Sequence, residues 1–121
     1  MPVKLRYVLP LGALLPAVQT WRQVRAYNPW PGAYTTLDGQ VLHIWEAWPL
    51  PGEGAPPRTV VALREEQQAG LPPQAGRGAF AVQTGDGLLA VLSVQRQGRR
   101  RLAAAEFLRG MRDFIGRRLG S

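Results

Sequence analysis

At 121 residues the chain is long enough for one domain with a single buried core. Its 15 Lys and Arg outnumber 8 Asp and Glu, a formal charge of +7, and every cation except Lys4 is an arginine. With no cysteine and one histidine, His43, disulfide frameworks, thiolate metal centres and cysteine nucleophiles are excluded and a Ser–His–Asp triad has little room, which favours a basic binding module over a hydrolytic or redox enzyme.

Residues 1–13 form an N-terminal extension, with Val3–Leu9 as its candidate extra strand. Met1–Pro16 is apolar with Lys4 and Arg6 near the front, but Pro10, Gly12 and Pro16 break the run, unlike a signal peptide. No window reaches the ~18 apolar residues that span a bilayer, so a cytoplasmic protein is expected. A domain over residues 14–121 then opens with an amphipathic helix, Leu14–Tyr27. Leu14, Ala17, Val18, Trp21 and Val24 recur at steps of three and four, and Pro16 places the start near Leu15. Asn28 ends the helix as a candidate left-handed cap, and Pro29, Trp30, Pro31 and Gly32 make a rigid elbow holding one aromatic.

Strands follow. Ala33–Leu37 and Val41–Trp48 pair through the Asp38-Gly39 turn, with Leu42, Ile44 and Trp48 on one side and Val41, His43 and Trp45 on the other. Pro49–Pro57 is a loop and Thr59–Arg64 a third strand. Glu65–Gly78 is polar and long for a loop, with a helical turn at Glu65–Ala69. Phe80–Thr84 and Leu88–Gln95 form a second hairpin through Gly85, Asp86 and Gly87. Leu88–Val94 is apolar on both faces, as a central strand is. Arg99–Arg101 leads into a short helix, Ala103–Arg109, closed by Gly110. A helix, about five antiparallel strands and a closing helix predict a mainly β fold, a small OB-like barrel, with a β-sandwich as the rival.

Arginine placement is the strongest functional signal. Arg96, Arg99, Arg100, Arg101, Arg109, Arg112, Arg117 and Arg118 are eight of the 15 cations within the last 26 positions, opposed only by Glu106 and Asp113. Arg22 and Arg25 form a second group on the first helix. Guanidinium forks suit phosphate oxygens, and three consecutive surface arginines repel one another unless an anion is near. Against this stands a solvated basic face, of equal weight until the Arg99–Arg101 triplet is counted. His43 reads as a structural residue, Gly85-Asp86-Gly87 as a turn without the phosphate-loop pattern, and Asp38, Glu46 and Asp86 as isolated carboxylates. Of the four tryptophans, one at most, Trp45 or Trp48, is expected to be exposed; the others are core or elbow anchors. No metal or cofactor is expected.

The run Val24-Arg25-Ala26-Tyr27-Asn28-Pro29-Trp30-Pro31-Gly32-Ala33-Tyr34 resembles the entry to the C-terminal domain of methionyl-tRNA formyltransferases. Leu37-Asp38-Gly39 with Leu42 and Ile44-Trp45, then Thr84-Gly85-Asp86-Gly87, resemble that family's hairpins. Gly98–Leu102, Ala104–Gly110 and Arg118–Gly120 resemble its basic segment, closing helix and terminus. The resemblance runs from Pro16 to Gly120; Met1–Gly12 and the long Glu65–Gly78 join depart from it. It implies an OB-like, non-catalytic module that holds initiator tRNA by its backbone while a separate Rossmann-like domain, with an Asn, His and Asp set, transfers the formyl group of 10-formyltetrahydrofolate. Arg99, Arg100 and Arg101 would contact phosphates, with Arg96, Arg22, Arg25, Arg112, Arg117 and Arg118 adding to the field. No catalytic set is found here, so no activity is expected of this chain alone, and its partners would be tRNA and a fused or separate catalytic domain. The alternative is a structural module like those of sugar-nucleotide or folate formyltransferases, or a truncated relic that binds no RNA.

Overall fold

A computed structural model describes residues 7–9, 16–28, 32–72 and 80–120. Expectations for Leu14, Leu15, Pro29, Trp30, Pro31, most of the N-terminal extension and residues 73–79 lie outside them. The described elements are β1 (Tyr7–Val8), α1 (Ala17–Tyr27), β2 (Ala33–Leu37), β3 (Gln40–Leu50), β4 (Val60–Ala62), α2 (Glu65–Gln68), β5 (Phe80–Gln83), β6 (Leu88–Arg96), β7 (Arg101–Ala103) and α3 (Ala104–Arg109). The strands make one sheet in the order β1-β2-β3-β6-β5-β4, with β7 also on β6. Among the described strands the β1–β2 pair is parallel and the others antiparallel.

Each turn forms for a local reason. Asp38 and Gly39 both take positive φ, 53° and 79°, as the two central residues of a type I′ hairpin must. Gly87, at φ 92°, ends the second turn, and Gln83 pairs with Leu88 across it. The Asp86 carbonyl also accepts the Ala17 N–H at 2.8 Å, so this hairpin fastens the start of α1. At the other end of α1, Asn28 is extended (φ −102°, ψ 142°) rather than left-handed, because the proline that follows excludes helical geometry. It caps through its side chain instead: the amide nitrogen donates to the Val24 carbonyl at 2.8 Å.

β6 is central, as its two apolar faces predict. β3 takes one edge, while β5 and then β7 take the other along Leu88–Val91 and Ser93–Gln95. The strand at Arg101–Ala103 is a departure from the sequence reading, which ran the arginines straight into the helix. A second departure lies in β3 and β6, where the pairing is irregular around Trp45–Ala47. Leu42, Ile44 and Ala47, with Leu89, Val91 and Val94, all face the main core. Trp48 and Leu50, with Leu88, Ala90 and Leu92, face a second cluster covered by Leu71. Both strands therefore change face together, and the register is the same on either side, from Leu42 opposite Arg96 to Leu50 opposite Leu88. Trp48 accordingly lies on the opposite face from Ile44, not the same one.

The main core is filled by all three phenylalanines. Phe80, Phe107 and Phe114 meet with ring centroids 5.0–6.2 Å apart, and each is buried. The sheet curls around them into an OB-like half-barrel. Its open side is drawn together by the last residues. Arg117 accepts the Val60 N–H (2.8 Å), and Leu119 donates to the Arg58 carbonyl beside β4 (2.9 Å). One residue later, the Gly120 N–H reaches Thr36 of β2 (2.8 Å).

Candidate nucleic-acid interface

The Arg99–Arg101 triplet is divided by β7. Arg99 sits in the turn, with its N–H on the Arg96 carbonyl at 2.9 Å, and its side chain is exposed. Arg100 pairs with Glu106 of α3 at 2.9 Å. Arg96, Arg99 and Arg100 line a cleft of about 600 Å³ floored by Leu102, Phe107 and Met111. Arg101 turns the other way, as the next residue of a strand does. Its Nε donates to Ser93 Oγ (2.7 Å), an NH2 group donates to Glu46 (2.9 Å), and the guanidinium lies 5.0 Å from the Trp45 ring centroid. It opens on a second groove, of about 800 Å³, shared with Arg25 of α1, Trp21, Trp48, Glu46 and Ser93.

Behind Arg101, a polar ladder stiffens β3. His43 stacks on Trp45 at 4.2 Å, and Trp45 Nε1 donates to Gln95. The Asn28 amide nitrogen gives its protons to the Val24 and Ile44 carbonyls, which leaves Oδ1 as the acceptor. The His43 Nε2–H must therefore be the donor in their 2.9 Å contact, and the residue is structural. Gly32 is part of the same fit, since a Cβ there would stand 3.0 Å from the His43 ring.

The remaining cations are dispersed. Arg117 is half-buried and pairs with Asp38, so it fastens the tail to the first turn; Arg118 beside it is exposed. Arg22 is exposed on α1, and Arg109 and Arg112 lie at and beyond the end of α3. None of Arg22, Arg99, Arg109, Arg112 and Arg118 has an ion-pair partner among the described residues. Gly85, Asp86 and Gly87 form the hairpin turn, with no phosphate-loop geometry. Trp21, Trp45 and Trp48 are each partly buried, within the expectation of one exposed tryptophan at most; Trp21 and Trp48 pack on the two core clusters and also line the second groove. Helical spacing marks Trp21 as core, and it does pack on the main cluster, from the margin of the apolar stripe. Glu46 and Ser93 gave no sequence signal, because what brings them to Arg101 is the shared irregularity of β3 and β6. No group of His, Asp or Glu among the described residues could hold a metal ion.

A family model for the formyl transferase C-terminal domain matches residues 15–112. This chain belongs to that family. The match spans both grooves, from α1 through β7 to α3. Among curated relatives, the chain is 47% identical to the methionyl-tRNA formyltransferase of Pelotomaculum thermopropionicum over 74% of its length and 26% of the relative's. It is 43% identical to the enzyme of the same name from Methylococcus capsulatus (83% and 28%) and 37% identical to that of Solibacter usitatus (87% and 30%). The chain therefore spans between a quarter and a third of these relatives. No described helix is long and apolar enough to cross a membrane.

Proposed function

We propose that this domain is a non-catalytic tRNA-holding module, working beside a catalytic formyltransferase domain that is fused or separate, in the cytoplasm during translation initiation. The observation that carries it is the cleft where Arg96, Arg99 and Arg100 converge, flanked by exposed arginines with no acidic partner. Guanidiniums whose charge no carboxylate neutralises are attracted to a polyanion, and their forks match phosphate oxygens. The name shared by the relatives supplies the polyanion: methionyl-tRNA. Arg22, Arg109, Arg112 and Arg118 widen the field; Arg100, Arg101 and Arg117 already have carboxylate partners and add less, so the unneutralised charge of the cleft is that of Arg96 and Arg99. Recognition would run through the backbone and the shape of the RNA, with the formyl donor, 10-formyltetrahydrofolate, held by the catalytic domain.

Binding of initiator tRNA, measured by mobility shift across a salt series, tests this. The log of the affinity should fall with log salt by roughly 0.7–0.9 for each phosphate neutralised. Reversing Arg96, Arg99 and Arg100 to Glu should abolish the shift at moderate salt. Full tRNA affinity in that triple variant would overturn the cleft as the binding site, and no binding by the parent chain at low salt would leave the structural-module reading instead.

A further inference from the structure

The second groove holds a combination that backbone contacts do not use. All three phenylalanines are in the core, whereas three tryptophans are only partly buried around one end of the sheet. Trp45 is already covered by stacked His43 and by the Arg101 guanidinium, and Trp21 carries the Arg25 guanidinium 4.8 Å from its ring centroid. Trp48 packs against the second apolar cluster, and among the described residues it carries no cation and no stacked ring; Trp21 meets it edge-on, at 5.3 Å and 68°. Its indole lines the groove beside two arginines, from α1 and from β7.

We infer that this groove takes one unstacked nucleobase of the bound RNA, stacked on Trp48, with the adjoining phosphate on Arg25 and Arg101. The inference rests on the RNA-binding reading above. An indole face beside a cationic rim is the arrangement that holds single-stranded nucleotides, because every base has a π-face and carries a phosphate next to it. Arg101 is prepared for the role. Ser93 and Glu46 take its Nε and one NH2 group, which fixes the side chain while NH1 keeps no partner among the described residues. An arginine held in place before binding loses little side-chain freedom when the ligand arrives. Glu46 places a carboxylate at the margin, able to accept from a base N–H and repellent to an acidic peptide. At about 800 Å³ the groove has room for a nucleotide.

The test uses an unstructured RNA hexamer and a hexamer of the same backbone without bases, read by anisotropy of a labelled strand and by tryptophan quenching. The base-bearing strand should bind more tightly and quench; the abasic strand should do neither. Trp48→Leu should weaken the base-bearing hexamer roughly tenfold or more, the scale of one lost base–aromatic stack, while Trp48→Phe retains binding. Arg25→Gln, on an exposed site that packing does not need, should weaken it too. Equal binding of the two hexamers, or unchanged affinity in both Trp48→Leu and Arg25→Gln, overturns the inference. If tRNA still binds and is still lost on reversing Arg96, Arg99 and Arg100, the nucleobase site alone has failed. If the parent chain binds neither tRNA nor hexamer, the RNA-binding reading has failed.

Discussion

At the scale of single residues, the structure separates polar groups that are satisfied from those that are not. Asn28 uses its whole amide: two carbonyls accept from it, and His43 and the Ala33 N–H donate to it. Thr20 is the opposite case. It is fully buried in α1, and its hydroxyl finds no hydrogen-bond partner among the described residues. A buried hydroxyl left without a partner costs the desolvation of that group, so replacing it with a methyl of the same shape should be favourable. Thr20→Val is expected to raise stability by about 1 kcal/mol in urea unfolding. A loss of stability would mean that the hydroxyl is engaged after all.

At the scale of elements, what could be seen in the sequence depended on how local the cause was. The Asp38-Gly39 and Gly85-Asp86-Gly87 turns rest on residues that take positive φ, Asp38 and Gly39 in the first and Gly87 in the second, a local property of those residues, and both hairpins follow. β6 was legible as central from its own two apolar faces. β7 was not: it is three residues long, begins with an arginine, and exists only because the edge of β6 beyond β5 is vacant. The same holds for the site. The charge cluster is visible as a string of arginines, but its division between two grooves follows from the alternation of that short strand. The joint change of face in β3 and β6 needs two strands to be seen, and with it the face of Trp48 and the meeting of Glu46 and Ser93 at Arg101 were out of reach. The turns themselves differ in what they carry. A Cβ on Gly39 would meet open space, whereas one on Gly87 would stand 2.9 Å from the Leu50 carbonyl and 3.4 Å from Ala17. Gly39→Ala should therefore cost only the backbone strain of positive φ, about 1–2 kcal/mol, and Gly87→Ala distinctly more, because hairpin, β3 and α1 must part. Equal melting temperatures for the two variants would contradict this account of the second hairpin as an anchor for α1.

At the scale of the whole molecule, the acid-poor surface and the closing tail come from one stretch of chain. Residues 96–118 supply the cleft arginines, and residues 116–120 draw β4 toward β2. Leu119 is wholly buried in the main core beside Phe114. Leu119→Ala should lower unfolding free energy by about 2–5 kcal/mol, as other buried leucines do, while leaving the arginine cleft intact. A loss below 1 kcal/mol, on denaturant titration, would show that the tail is only laid against the barrel. The tail also has a bearing on biosynthesis. While residues 1–115 have emerged from a ribosome and residues 116–120 have not, β4 and the far end of β2 still offer the backbone groups that those last residues pair. Such edges are sticky toward other chains. The domain is thus exposed to mispairing until its final residues leave the exit tunnel, and whatever follows residue 120 in the chain sets how long that interval lasts.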